Sequence, residues 1–264
     1  MMMTVTHGAR RDDSFPVGLT QQSPTREFRV PYAFLRFVYV AMIALDVLLI
    51  LATLLWDLGF DLPRGFGQLD LEQEGNFATW YSSALLLIAG STALMIAFSA
   101  PILRDKARWH FPVWMAGGFV FILLAVDEML EFHERMGVWF SERFAGSPWL
   151  TPGLYGVFDW LVVLLPAIVV FVVGASTVIR SWLAFHPVSR NAAALGLACW
   201  IGALCSEFIQ AQLFRVNIVH SVEGAIEEGF EIVGTTLFFF AFTQLLSTNR
   251  DRDARSGLDS RLDH

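Results

Sequence analysis

The stretch Trp160-Leu-Val-Val-Leu-Leu-Pro-Ala-Ile-Val-Val-Phe-Val-Val-Gly-Ala-Ser-Thr-Val-Ile179 holds no charged side chain over twenty positions. A helix rising 1.5 Å per residue needs about twenty such residues to cross roughly 30 Å of hydrocarbon. A second uncharged run covers 78–103, and four less perfect ones cover 35–60 (interrupted by Asp46 and Asp57), 111–134, 191–212 and 218–247. The sequence therefore predicts an all-α polytopic bundle of six transmembrane helices over residues 31–248. Polar tails at 1–30 and 249–264 are expected to be disordered.

Composition agrees with a membrane setting. The 264-residue chain is 55% hydrophobic and 16% charged, against the roughly 25% charged residues of soluble domains. The tail before the first run has neither an apolar core nor a small-residue cleavage site, so it does not read as a cleaved signal peptide. Fourteen of the eighteen Lys and Arg residues fall in the N-terminal segment through Arg36, in the C-terminal tail and in segments 101–110 and 179–190, with Arg64, Arg135, Arg143 and Arg215 in the alternate loops. By the positive-inside rule this places both termini in the cytoplasm of a plasma (inner) membrane protein. Basic tails facing anionic lipid account for the arginines, so the bilayer is the expected partner and nucleic acid is not. Cys199 and Cys205, six apart on one predicted helix, suggest neither a disulfide nor a haem attachment.

Two acidic stretches stand out against this background. Residues 127–134 read Asp-Glu-Met-Leu-Glu-Phe-His-Glu and residues 220–231 read His-Ser-Val-Glu-Gly-Ala-Ile-Glu-Glu-Gly-Phe-Glu. A carboxylate at the bilayer centre costs about 2.5–3.5 kcal/mol even on lenient insertion scales, so such clusters call for a neutralising partner. At 100° per residue Asp127, Glu131 and Glu134 share one face of a continuous third helix, and His220, Glu223, Glu227 and Glu231 share one face of the sixth. The alternating topology puts both stripes, with Glu207, in the outer half, and the first outer loop adds Asp70, Glu72, Glu74 and Asn76. The two arginines within reach, Arg135 and Arg215, are too few to neutralise them.

The reading that follows is a divalent-metal site built from Asp127, Glu131, His133, Glu134, Glu207, His220, Glu223, Glu227 and Glu231. Carboxylates with one or two imidazoles suit manganese, iron or zinc, and a metal-activated water or an iron pair would serve an enzyme acting on a lipid or other apolar substrate. The same acids would serve a cation or proton transporter, which needs a polar path onward to the cytoplasmic side. Asp46, Thr235, Thr236, Gln244 and the Ser91-Thr92 pair are the candidates for that path. A third reading is a non-enzymatic scaffold subunit with the acids as a protonated polar network. An echo between Val126-Asp127…Glu131…Gly137 and Val222-Glu223…Glu227…Gly234 hints at an inverted three-span repeat.

The run Glu72-x-Glu74-Gly75-Asn76-x-x-Thr79-Trp80-Tyr81-Ser82, with Val126-Asp127-Glu128, Glu227-Glu228 and Glu231-x-x-Gly234, resembles a group of bacterial multi-pass membrane proteins of unassigned function. The resemblance covers the six-span core and implies no reaction. The chain is also similar, more faintly, to the alkaline ceramidase and progestin-receptor-like membrane hydrolases, which imply a zinc site among seven spans. It departs from them by offering Glu227 and Glu231 where that family has histidines.

Overall fold

A computed structural model describes residues 32–60, 63–73, 75–98, 107–144, 159–181, 183–213 and 220–262. The expected N-terminal tail lies outside them. The helices are α1 (Tyr32–Asp57), α2 (Phe77–Ala97), α3 (Ala107–Leu130), α4 (Phe132–Phe144), α5 (Asp159–Ser181), α6 (Pro187–Leu213) and α7 (His220–Leu262), with a 3-10 segment at Arg64–Leu69 between α1 and α2. All but α4 are long and apolar enough to cross a membrane, giving six candidate spans. If all six cross, the termini share one face; the 3-10 segment and α4 lie on the other, called here the far face. Helical backbone continues through Leu262.

The helices associate through close backbone approach rather than bulk. On α2 and α3, a Cβ built on Gly90 would lie 2.8 Å from the Gly118 carbonyl oxygen, and one on Gly118 would lie 3.0 Å from the Gly90 carbonyl oxygen. On α6 and α7, Gly196 and Gly234 repeat the arrangement at 2.9 and 3.0 Å. Lipid tails are as apolar as leucine, so such small-residue contacts are a main source of helix association in a bilayer. The two glycine-locked pairs are the most extensively packed elements, and α1 lies across α7. By contrast, α5 reaches α3 through the Phe121 and Phe171 rings, 6.5 Å apart.

Toward the termini, Trp114, Phe121, Trp200, Phe238 and Phe242 interlock in one aromatic core, with Phe121 5.3 Å from Trp200 and 5.4 Å from Phe238 between ring centroids. Toward the far face, Leu49, Leu71, Ala78, Leu85 and Ile232 form a smaller core joining α1, α2 and α7 to the loop after the 3-10 segment. That loop owes its shape to the motif singled out above. Gly75 takes φ +71°, a conformation open to residues without a Cβ. Asn76 caps α2 by accepting the Thr79 N–H at 3.0 Å while donating to the carbonyls of Gly67 and Asp70. The Thr79 hydroxyl donates to the Gln73 carbonyl at 3.0 Å. The Gly-Asn-x-x-Thr signature is therefore a helix-start device.

The third span ends earlier than the sequence reading expected. Glu131 stands at φ +52° between α3 and α4, so Asp127, Glu131 and Glu134 do not lie on one continuous helix. The expected outer loop from 135 begins with α4.

Candidate functional site

The most enclosed acid of the described residues is Asp46 on α1. Asp46, Leu49 and Thr53, spaced three and four apart, are each 0% exposed and form the face that α1 turns to α2 and α7. Val47, Leu48 and Leu51 on its other side are exposed, the lipid-facing side of a span. The Tyr81 hydroxyl on α2 donates to Asp46 Oδ1 at 2.9 Å, and the Thr236 hydroxyl on α7 donates to Oδ2 at 2.8 Å. No ion pair to Asp46 occurs among the described residues.

Polar contacts recur along this seam. Toward the termini, the Tyr39 hydroxyl meets that of Thr243. Toward the far face, Thr53 accepts the Leu71 N–H at 2.9 Å and donates to the Leu49 carbonyl at 3.1 Å. Positions 39, 46 and 53 are seven apart, which at 1.5 Å per residue spaces the groups by about 10 Å. They form a file of separate stations, not an unbroken hydrogen-bonded wire.

At the far end of the seam lie Asp57, Asp70 and Glu72. Asp70 accepts from the Glu72 N–H at 3.1 Å and from the Gln73 side-chain amide at 2.8 Å. Asp57 Oδ2 is enclosed without a hydrogen-bond partner. Glu72 is exposed as a residue, yet its carboxylate is seated on α7: Oε1 lies 1.9 Å from where a Gly224 Cβ would stand. Desolvation of the carboxylate, then the charges of Asp57 and Asp70, push its pKa up from 4.5 to about 7, against the Ala225 N–H that favours the ionised form.

Part of the proposed metal set falls within the described residues. Asp127 and His133 do meet. Oδ1 accepts the His133 backbone N–H at 2.9 Å and Oδ2 lies 2.7 Å from Nδ1, so Asp127 caps the start of α4. Glu131 turns to Arg135, at 3.6 Å. Glu227 and Glu231 are half-buried on α7, and the Glu231 carbonyl accepts from the Thr235 hydroxyl at 2.8 Å and the Trp200 indole at 3.2 Å. The side chains of Glu134, Glu207, His220 and Glu223 lie outside the described residues. Among the described residues no three His, Cys, Asp or Glu side chains are grouped to hold a metal ion. Sequence reasoning missed Tyr81 and Thr236 as partners of Asp46. The seven-residue spacing of polar positions 39, 46 and 53 on α1 was the available signal.

Six candidate spans enclosing an intramembrane carboxylate define an all-helical protein of multi-pass membrane type. Residues 35–245 match the model of the family described as domain of unknown function DUF8692, and the chain belongs to that family. No curated protein and no solved structure matches it. The likeness to ceramidase-like hydrolases thus rests on the sequence motifs alone.

Proposed function

We propose that this protein transfers protons, or a small cation in exchange for them, through the α1–α2–α7 seam, with Asp46 as the central carboxylate. The observation that carries the reading is the enclosure of Asp46 at mid-span by two hydroxyls and no described cation. Intramembrane acids are functional by default because their cost must be offset by a use. A hydroxyl both donates and accepts, so Tyr81 and Thr236 can donate to a carboxylate or accept from a carboxylic acid, and hydrogen bonding survives either protonation state. Fixed cationic donors would instead lock the charged form. Glu72, at the far end of the seam with a pKa near 7, would exchange protons with water around neutral pH. The arginine bias supports cytoplasmic termini, and hence an outward-facing Glu72, in a bacterial inner membrane. The test is proton flux into liposomes holding the purified protein, compared with Asp46→Asn.

One observation favours a second reading, divalent-metal binding. A carboxylate that holds Nδ1 of a histidine fixes its tautomer and orients Nε2, the usual second-shell arrangement around a metal-ligating imidazole, and Asp127 holds His133 in this way. The remaining ligands would come from Glu134, Glu207, His220 and Glu223, with Asp127 as support rather than ligand. Elemental analysis of chelator-free protein beside His133→Ala tests it: stoichiometric manganese, iron or zinc lost in the variant would support the site, and metal-free wild-type protein would remove it.

A further inference from the structure

Helix α4 carries a surface that neither the seam nor the metal reading uses. Its Gly137 is buried and its Met136 and Phe140 are half-buried on the side that packs against α5. Beside that side runs an exposed edge. At 100° per residue Phe132, Arg135, Trp139 and Arg143 fall within about 80° of one another. Phe132 is 63% exposed, Trp139 60% and the Arg135 side chain 70%, and Arg143 is exposed as well. Two aromatic rings alternating with two guanidinium groups are thus presented on one line.

The position of this edge identifies its occupant. The third candidate span ends at Leu130, and α4 begins two residues later, after the turn at Glu131. The exposed side chains of Leu123, Val126, Met129 and Leu130 on α3 are lipid-facing in a span, and Phe132 continues that apolar surface at the membrane boundary. Aromatic side chains favour this boundary because one part is apolar and the surroundings are wet. Guanidinium groups pair with phosphate oxygens in a bidentate manner. We propose that the Phe132–Arg135–Trp139–Arg143 edge of α4 lies in the phospholipid headgroup layer of the leaflet where α3 ends, with its rings at the acyl boundary and its guanidinium groups on headgroup phosphates. In this arrangement α4 is an interfacial helix lying along the far face, and the Asp127 cap and Glu131 turn set the angle at which it leaves α3.

The nine tryptophans rule out intrinsic fluorescence as the readout, so the test uses single cysteines. Cys199 and Cys205, both free, are first replaced by Ala. Cysteine is then introduced at 132, 139 or 138, the last exposed and about 60° outside the edge by helical geometry, and labelled with an environment-sensitive fluorophore. The full-length protein is placed in bilayers of mixed zwitterionic and anionic phospholipid. Labels at 132 and 139 are expected to shift to the blue and to be quenched by lipids spin-labelled near the headgroup, while the label at 138 stays water-quenched. Arg135→Gln with Arg143→Gln should abolish the added quenching that anionic lipid produces. Labels at 132 and 139 that behave like the one at 138 would overturn the proposal. So would protection that ignores lipid composition and follows cross-linked dimers, which would assign the edge to a second copy of the chain.

Discussion

Tyr81 and Asp46 are joined across the α1–α2 interface by a 2.9 Å hydrogen bond from phenol to carboxyl, and Thr236 closes the same carboxyl from α7 at 2.8 Å. A buried hydrogen bond is worth about 1 kcal/mol net when both groups are neutral and about 1.5–3 kcal/mol when one is charged. Tyr81→Phe should therefore lower unfolding stability in bicelles by about 1 kcal/mol if Asp46 rests protonated, and by more if it rests ionised. A variant as stable as the parent would mean that the bond is not made in the membrane.

The glycine crossings give a sharper contrast. Gly90→Ala and Gly196→Ala each set a methyl against a backbone oxygen at 2.8 or 2.9 Å, where no side chain can yield, and overpacking of this kind costs about 1–3 kcal/mol. Gly117 and Gly174 meet nothing within 4 Å of a built Cβ. Their alanine variants should be neutral or slightly stabilising in the same unfolding assay. Equal effects at all four sites would contradict the packing described.

Asp127 acts on α4 through its cap. Replacing an N-capping carboxylate costs about 0.5–2 kcal/mol, and the loss should be local because α4 packs mainly on α5. Asp127→Ala is expected to speed amide exchange in α4 while leaving α2 and α7 protected. Unchanged exchange at Phe132 and His133 would show that the cap is not formed.

Glu72 makes a pH-dependent contribution whose sign is fixed by its raised pKa. Between 4.5 and about 7 the folded protein holds a proton that the unfolded chain has released, so stability falls as pH rises through this window and levels off above it. Solvent screening of this exposed residue keeps the effect below about 1 kcal/mol. Glu72→Gln should flatten that slope in thermal melts. Gly224→Ala should do the same, since its methyl would stand 1.9 Å from Oε1 and displace the carboxylate. A slope that persists in both variants would assign it to another group.

The spans were legible because uncharged length is the dominant signal for crossing a bilayer: all six candidate helices coincide with apolar runs in the sequence. The end of α3 was not. Glu131 carries neither Gly nor Pro beside it, and its positive φ is supported by Asp127 reaching six residues forward to His133, a contact no helical periodicity describes. Asp46 was visible as an acid inside a span, whereas its partners lie 35 and 190 residues away in sequence. Which carboxylates share a site is decided by helix packing, and a single chain does not display that in its pattern.

The central claim is that Asp46 handles a proton in the middle of the membrane. Liposomes containing purified protein and an internal pH-sensitive dye, given an inward proton gradient with a potassium shunt to remove charge build-up, test it most directly. Wild-type protein should acidify the interior faster than empty liposomes do, and Asp46→Asn, matched in shape and folding, should return the rate to that background. Acidification by Asp46→Asn at the wild-type rate, or folded wild-type protein that passes no protons under any gradient, would contradict the account.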